Sequence, residues 1–349
     1  MMAGRITMSD VAREAGVSTM TVSRVVNEKG EISPATRHRV LAVIDRLGYR
    51  PSGIARGLAT QRTGTLGFVV PDISNPFFSD IARGVEDEAY AAGYNVFLCN
   101  TEEDSDREKA ILESLEEKRV DGLILCSSRL DAAELQAALE RYPAAILINR
   151  RLDGTDTGVV LVDDELGSRL AVEHLLRSGH TQIGFLAGPA ASRSGRLRAA
   201  GYRAPMHAAG LAPQPGWVRH CSADVDGGRE AALDLLPDHP ELTALLCYND
   251  LVAVGALQAC HELGLDVPGD VAIAGFDDIP LAALVTPALT TCRAPRYDLG
   301  AQATEMLLAR IQGRTDQFQD VVLPPELVVR ASAPDLQTVR KEEAIEQSV

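Results

Sequence analysis

The sequence predicts a small all-α helix-turn-helix head followed by an α/β core made of two doubly wound parallel-sheet lobes. Residues 7–27 have the caps, the glycine and the apolar spacing of two short helices joined by a tight turn. From residue 65 onward, short β-rich runs alternate with helix-length amphipathic segments, which is typical of a parallel sheet with helices on both faces. The alternation restarts near Val159 and therefore predicts two lobes in series.

The first two helices of the head are marked by their caps. Thr7 is a suitable N-cap, and Asp10 completes a capping box for a helix over 8–15. Gly16 ends that helix, and Ser18 caps the second one, whose valines face inward. The residues of the second helix that point away from the core are Thr19, Met20, Ser23, Arg24 and Asn27. This pair predicts a helix-turn-helix, whose second helix enters a DNA major groove; a plain helical hairpin with a solvated face is the alternative.

A third helix and a hinge complete the N-terminal part. Ser33 and Pro34 place a cap and a first-turn proline at the start of a helix that ends near Leu47. Its predicted apolar face consists of Val40, Leu41, Ile44 and Leu47. The segment 49–62 contains Pro51 and two glycines, which make it a poor helix in isolation. We predict a hinge that folds on a partner, and a flexible linker is the alternative.

The remaining chain is predicted to form the two lobes and a tail. After a strand near Leu289, a helix over 298–311 and a strand over 321–323 are expected to return the chain to the first lobe. The last residues are polar and are expected to be loose. The predicted domains are a head over 1–48, a hinge over 49–62, a two-lobed domain over 63–330 (first lobe 63–163 and 293–323, second lobe 164–292 and 324–330) and a flexible tail over 331–349.

Charge separates the head from the rest of the chain. The formal net charge is −15, but residues 1–62 carry +5 and the remainder carries −20. Contacts with phosphate groups are therefore expected from the head alone. The 6 cysteines are scattered, without spacing that suits a metal, so they are expected to be reduced, and neither a metal nor a cofactor is expected. No signal peptide or membrane span is predicted, which favours the cytoplasm.

Several motifs resemble those of one protein family. They occur in a consistent order along the chain: DVAREAGVSTMTVSRVVN at 10–27, ARGL at 55–58, NPFF at 75–78, GHTQIGFLAGP at 179–189, YND at 248–250 and GFDD at 275–278. Together they resemble the lactose/galactose repressor (LacI/GalR) family of bacterial transcription regulators. The resemblance covers nearly the whole chain and implies a core similar to the periplasmic binding proteins.

The resemblance implies a way of binding operator DNA. Thr19, Met20 and Arg24 would read base edges in the major groove, because arginine can contact guanine bidentately and methionine can pack on a thymine methyl. The residues expected to contact phosphates are Thr7, Ser18, Ser23, Asn27, Ser33, Thr36 and Arg37. In the hinge motif, Ala55 and Arg56 precede Leu58, which would insert into the minor groove and kink the DNA.

The resemblance also implies a sugar-binding cleft between the lobes. The residues expected to line it are Asn75, Phe77, Phe78, Asn149, Arg150, Arg198, Asn249 and Asp277. Amides, a carboxylate and guanidinium groups suit a polyol, and phenylalanine can pack on a sugar ring, although the two phenylalanines could instead belong to the lobe core. Because neighbouring residues at a strand end point in opposite directions, Asp277 rather than Asp278 is expected to face the cleft.

These expectations support a dimeric, ligand-regulated transcription factor, usually a repressor, that binds a roughly palindromic operator in double-stranded DNA. Two other classes of protein are alternatives. A solute-binding protein for transport would suit the cleft, but the head and the missing signal peptide argue against it. An enzyme acting on sugars or nucleotides would need a phosphate-binding loop, a nucleophile elbow or a metal cluster, and the sequence contains none of these.

Overall fold

The computed structural model describes residues 6–27, 30–50, 62–190, 192–315 and 317–335. Two compact units make up the chain, one before Thr65 and one from Thr65 onward. The predicted hinge residues Ala55, Arg56 and Leu58 lie outside the described residues. Among the helices in the described ranges, none is long and apolar enough to cross a membrane.

The head is a bundle of short helices. They are α1 Met8–Ala15, α2 Thr19–Val26 and α3 Pro34–Leu47. Thr7 and Asp10 form the predicted capping box on α1, and Gly16 ends this helix with a φ of 64°. Side-chain oxygens of Ser18 and Ser33 cap α2 and α3. These caps satisfy backbone N–H groups that have no partner inside the helix, and they confirm the predicted helix starts.

Two predictions about the head are wrong. Leu41 was assigned to the apolar face of α3, but its side chain is 44% exposed and Val43 is buried instead. Residues 40, 43, 44 and 47 follow the spacing of one helical stripe, and residue 41 lies about 100° away from it. Tyr49 was assigned to the hinge, but it is buried in the head core and its N–H donates to the carbonyl of Ile44. The head therefore extends at least to Tyr49.

The first lobe is built on a parallel sheet. Its strands are β1 Thr65–Val70, β2 Asn95–Asn100, β3 Gly122–Cys126, β4 Ala145–Ile148, β5 Gly158–Val162 and β11 Val321–Leu323. Its helices are α4 Pro76–Ala91, α5 Ser105–Glu117, α6 Ala132–Leu139 and α12 Arg296–Ile311. The six strands lie in the order β11-β5-β4-β3-β1-β2. Every residue of β3 is buried, as expected for a parallel strand covered on both faces.

The second lobe repeats this architecture. Its strands are β6 Ile183–Ala187, β7 Val218–His220, β8 Ala244–Cys247, β9 Ala272–Asp277, β10 Thr290–Arg293 and β12 Glu326–Val328. Its helices are α7 Asp164–Arg177, α8 Arg193–Ala208, α9 Val225–Asp238, α10 Asp250–Leu263 and α11 Pro280–Leu284. The strand order is β12-β10-β9-β8-β6-β7, and β12 runs antiparallel to β10. Neither β12 nor α11 was predicted from the sequence.

Residues 331–335 form hydrogen bonds with several elements of the second lobe. Residues 331–335 were predicted to be part of a loose tail, and this is wrong. The Ser332 hydroxyl donates to the Ile273 carbonyl at 2.6 Å and accepts from the Thr290 N–H at 2.8 Å. Ala333 is buried, and its carbonyl lies 2.8 Å from Nε2 of His174. The Ser332 hydroxyl therefore fixes the segment to the sheet and the Ala333 carbonyl fixes it to α7, so its polar composition does not make it loose. The rest of the predicted tail, from residue 336, lies outside the described residues.

Helices α4 and α12 cross at unusually short range through two glycines. A Cβ atom at Gly300 would lie 2.1 Å from the carbonyl oxygen of Ile81, and one at Gly84 would lie 2.2 Å from that of Tyr297. Both obstacles are backbone atoms, which cannot rotate away. The first lobe therefore depends on glycine at this crossing.

We expect Gly300→Ala to lower the free energy of unfolding by about 1–3 kcal/mol, the usual cost of overpacking. The gain of up to about 1 kcal/mol in helix propensity is too small to offset the clash. Gln302→Ala, on the same helix, is the control because its side chain hydrogen-bonds only to Glu305 among the described residues. Thermal melts followed by circular dichroism compare the variants; equal melting temperatures for the two would contradict the close packing.

Candidate functional site

The predicted ligand-binding residues come together in one cleft between the two lobes. About 630 Å³ of space lies between its walls when the open solvent at its mouth is included. The cleft lies where strands of both sheets reach their carboxyl ends, which is where open α/β sheets bind ligands. All of the predicted residues line it: Asn75, Phe77, Phe78, Asn149, Arg150, Arg198, Asn249 and Asp277.

Two asparagines are held at the cleft because they cap helices. Oδ1 of Asn75 accepts from the N–H of Phe77 at 3.0 Å at the start of α4. Oδ1 of Asn249 accepts from the N–H of Val252 at 2.9 Å at the start of α10, while its Nδ2 donates to the Ala223 carbonyl at 3.1 Å. Capping fixes both amides, and it places two helix N-termini beside the cleft.

Asn149 follows β4 in a left-handed backbone conformation, with a φ of 54°. Asparagine tolerates this region better than most residues. Its N–H donates to the Val160 carbonyl at 2.9 Å, and its Oδ1 accepts from the Val162 N–H at 3.0 Å. These hydrogen bonds fix the Asn149 side chain against the neighbouring strand β5. The following residue, Arg150, lines the cleft.

Phe77 and Phe78 are both core and cleft wall. Their ring centroids lie 5.1 Å apart in an edge-to-face arrangement. Both side chains are buried in the main hydrophobic cluster, and both line the cleft. Membership of the lobe core therefore does not prevent either ring from lining the cleft.

Arg198 is a buried residue of the second lobe that lines the cleft. Its Nε donates to Oδ1 of Asp164 at 2.9 Å, and its Nη1 donates to the carbonyl of Tyr248. The guanidinium carbon lies 3.7 Å from the ring centroid of Phe276. Although burial lowers the pKa of Arg198, the Asp164 and Asp277 carboxylates raise it overall, so the group stays charged.

Asp277 faces the cleft and Asp278 turns away from it. Oδ1 of Asp277 is buried and lies 3.6 Å from Nη2 of Arg198. Asp278 instead forms ion pairs of 2.7 Å with Arg293 and Arg330. The prediction that only Asp277 can face the cleft is consistent with these contacts. Asp277 also has a φ of 115°, a strained backbone conformation for a residue with a side chain.

Burial raises the pKa of Asp277 from 3.8 to about 7. Arg198 and Arg296 oppose this rise, whereas Asp164 adds to it. The pKa is higher in the folded protein than in the unfolded chain. At a pH between these two pKa values, folding therefore takes up a proton. Stability is therefore gained as the pH falls through about 7.

We expect the free energy of unfolding to rise by about 1 kcal/mol through Asp277 alone when the pH is lowered from 8 to 6. Burial also raises the pKa of Asp250 and of Glu108, so the wild-type protein combines several such contributions. Asp277→Asn removes this carboxyl and also its repulsion of the Asp250 carboxylate, so the variant should show a shallower dependence of stability on pH. Denaturant titrations followed by the fluorescence of Trp217, the one tryptophan, measure it; an unchanged slope would refute the assignment.

Sequence reasoning missed about half of the cleft lining. The missed residues are Glu103, Ser127, Ser128, Arg129, Ser192, Arg193, Ser194, Ala223 and Tyr248. Ser127 to Arg129 directly follow β3, so the rule that parallel strands present ligands at their carboxyl ends could have found them. Arg193 begins α8, and no local pattern marks it as part of the cleft.

The head presents the outer face of α2 to solvent. Met20 is 64% exposed, and Thr19 and Arg24 are exposed as well. Val22 and Val25 are buried on the opposite face against α1 and α3. Thr19, Met20 and Arg24 are therefore available on one side of a rigid helix, as base readout requires.

The predicted phosphate-contact residues of the head carry hydroxyl, amide and guanidinium groups. Those of them inside or beside the helices are Thr7, Ser18, Ser23, Asn27, Ser33, Thr36 and Arg37. Thr7, Ser18 and Ser33 use their side-chain oxygens as helix caps. Nδ2 of Asn27 donates to the Ser23 carbonyl at 2.9 Å and to the Ser23 hydroxyl at 3.3 Å, so these two side chains are in contact.

A helix-turn-helix head followed by a two-lobed parallel-sheet domain with a polar cleft defines a DNA-binding transcriptional regulator with a ligand-binding allosteric domain. No group of three or more His, Cys, Asp or Glu side chains that could hold a metal occurs in the described parts of the chain.

Comparisons with known proteins identify the family. Residues 7–52 match the family described as "Bacterial regulatory proteins, lacI family". Residues 63–331 match the family described as "Periplasmic binding proteins and sugar binding domain of LacI family". The ribose operon repressor of Escherichia coli (strain K12) is 40% identical over 329 residues, which cover 94% of this chain and 99% of the relative. The chain belongs to the LacI family.

Solved structures agree with this assignment. The Lac repressor dimer bound to operator and the anti-inducer ONPF has a TM-score of 0.85 at 31% identity, covering 94% of this chain and 99% of that one. A LacI family regulator from Enterococcus faecium with bound ribose has a TM-score of 0.70 at 28% identity, covering 78% of this chain and 99% of that one. These relatives are transcriptional regulators rather than enzymes.

Proposed function

We propose that this protein is a homodimeric repressor whose affinity for operator DNA is controlled by a sugar or sugar derivative bound between its lobes. The single observation that carries the proposal is a set of unpaired polar atoms in the cleft. Arg150 Nε, Arg193 Nη1 and Asp277 Oδ1 are buried and have no hydrogen-bond partner among the described residues. A buried polar group without a partner costs about 1–3 kcal/mol, so a polar ligand that satisfies these atoms would be bound favourably.

A carbohydrate suits the remaining lining. Asn75, Asn149 and Asn249 offer amides in planes fixed by their backbone hydrogen bonds, and Asp277 offers an acceptor for a hydroxyl. Phe77 and Phe78 supply an apolar wall for the face of a ring. Similarity to a ribose operon repressor and to a regulator with bound ribose supports this class of ligand.

The head would read the operator through α2. Thr19, Met20 and Arg24 would contact base edges, and the cap and amide residues around them would contact phosphates. The basic charge of residues 1–62 supports this role. The hinge residues Ala55, Arg56 and Leu58 are proposed to contact the minor groove by resemblance alone. A protein that acts on DNA in this way would work in the cytoplasm.

A dimer is supported by an apolar surface on the first lobe. Strand β2 is an edge of its sheet, and Phe97 and Leu98 on it are exposed. Tyr90, on the preceding helix α4, is also exposed. An edge strand with large exposed apolar side chains is usually covered by a partner, and a second copy of the chain would bring two heads to a palindromic operator.

Operator binding with and without ligand tests the proposal. The operator is first selected from randomised DNA with the full chain, and ligands are found by a thermal-shift screen of sugars, sugar acids and sugar phosphates. We expect the best ligand to change operator affinity by about 5–150-fold, the range typical of allosteric coupling. Binding to an unrelated DNA is the control. A ligand that saturates the protein without altering operator affinity would contradict the proposal.

A further inference from the structure

The cleft is lined by more arginines than its carboxylates can neutralise. The arginines that line it are Arg129, Arg150, Arg193 and Arg198. Two of them have carboxylate partners: Nη2 of Arg129 donates to Glu103 at 3.0 Å, and Nε of Arg198 donates to Asp164 at 2.9 Å. In the described ranges, no ion pair with a carboxylate is formed by the other two, Arg150 and Arg193.

Arg150 comes from the first lobe, directly after Asn149. Its Nη2 donates to the Leu130 carbonyl at 3.0 Å, which holds the side chain in place. Its Nε is buried and has no hydrogen-bond partner within the described chain. A guanidinium group presents its donors in one plane, so this fixed arginine leaves a donor in a defined direction.

Arg193 comes from the second lobe, at the first residue of α8. Its Nη1 is buried and also has no hydrogen-bond partner among the described residues. Burial lowers its pKa, Asp164 opposes this, and Arg150, Arg151 and Arg196 lower it further. Three arginines and one carboxylate therefore act on this guanidinium group, and the N-terminus of α8 adds a partial positive charge.

The two carboxylates that line the cleft lie beside arginines other than Arg150 and Arg193. Glu103 accepts from Arg129 through both of its oxygens. Asp277 lies 3.6 Å from Nη2 of Arg198, and its backbone carbonyl accepts from Arg296. Glu108 acts on Arg150, and Asp164 on Arg193, without forming an ion pair with it, so both guanidinium groups keep a donor for an anionic ligand.

We propose that the ligand of this cleft carries an anionic group, a carboxylate or a phosphate, that is bound between Arg150 of the first lobe and Arg193 of the second. This inference rests on the proposed ligand-binding role of the cleft. Carboxylates and phosphates match the planar donors of arginine and form charge-assisted hydrogen bonds with them. An anion held from both sides stabilises one arrangement of the lobes over another, which is the differential binding that allosteric control requires.

Inorganic phosphate is the first probe, because it needs no knowledge of the rest of the ligand. Full-length wild type, Arg150→Gln and Arg193→Gln are titrated with sodium phosphate at constant ionic strength and followed by calorimetry and thermal melting. We expect saturable binding to wild type and at least tenfold weaker binding to each variant. Removing an unpaired buried cation should not destabilise the fold, so without phosphate Arg193→Gln should melt no lower than wild type.

Arg177→Gln is the matched control, because Arg177 lies on the surface of the same lobe with its side chain 62% exposed. Its phosphate binding should equal that of wild type. Equal phosphate binding by wild type, Arg150→Gln and Arg193→Gln would overturn the proposal, and so would the absence of saturable binding to wild type.

Matched sugars then distinguish the sources of the anion. Ribose, ribonate and ribose 5-phosphate differ chiefly in charge and in the group that carries it. Tighter binding of one anionic compound than of ribose by at least tenfold, lost in Arg193→Gln, supports the proposal and identifies carboxylate or phosphate. Ribose that binds as tightly as both anions and shifts operator affinity would overturn this inference while leaving the proposed function intact. An anion that binds through both arginines without changing operator affinity would instead contradict the proposed function.

Discussion

Replacing Arg198 with methionine is expected to lower the free energy of unfolding of the second lobe by about 3–5 kcal/mol, the usual cost of breaking a buried ion pair from one side. The guanidinium group is almost inaccessible and holds Asp164 directly, with Asp277 nearby. Without it, the lobe contains buried carboxylates that have lost their cation. The same substitution should abolish ligand binding, since the Arg198 side chain lines the cleft.

Trp217 makes the measurement specific to the second lobe, because it is the one tryptophan of the sequence and is buried beside β7. Urea titrations followed by its fluorescence should show the loss. Arg169→Met is the control: its ion pair with Glu173 is exposed, so its effect should stay below about 1 kcal/mol. The double variant Arg198→Met/Asp164→Asn should regain part of the lost stability. Equal midpoints for Arg198→Met and Arg169→Met would refute the role of Arg198.

The second large effect is expected at the DNA-binding face. Arg24→Ala should weaken operator binding by about 1–3 kcal/mol for each head if its guanidinium contacts a base. Two heads on one operator make this about 2–6 kcal/mol, or roughly 30-fold to more than 10,000-fold. The loss should be largest for the selected operator and small for unrelated DNA, because a base contact contributes to specificity.

Fluorescence anisotropy with the selected operator at fixed salt measures this change. Arg46→Ala removes the same charge from the last turn of α3, where the side chain pairs with Glu14 at 2.7 Å. It should bind the operator within about twofold of wild type. A similar loss in Arg46→Ala, or an equal loss on unrelated DNA, would show that Arg24 acts only through charge.

Local chemistry made the head predictable. The capping box of Thr7 and Asp10 and the left-handed Gly16 each depend on residues within one or two turns, so the sequence sufficed to place α1 and α2. Leu41 and Val43 could not be ranked in the same way. Both are apolar residues on one helix, and only the packing of three helices decides which side is buried.

Long-range contacts account for the other failures. Ser332 is fixed by partners 42 and 59 residues away in the sequence, which its polar neighbourhood does not reveal. Strand β12 forms because it pairs with β10, from which it is separated in the sequence by α12 and β11 of the first lobe. The cleft shows the same division. The resemblance to a known family predicts the cleft residues at strand ends, such as Asn149 and Asp277. It does not predict Arg193, which lies at the cleft because α8 begins there.

Ligand bound in the cleft and operator bound by the head are expected to change each other's affinity for the protein. The most direct test measures this coupling in both directions on the full chain: operator affinity with and without saturating ligand, and ligand affinity with and without saturating operator. Thermodynamic linkage requires the two ratios to be equal. We expect both to differ from 1 by the same factor, at least about fivefold. Ratios of 1 in both directions, with ligand and operator each bound, would contradict the account.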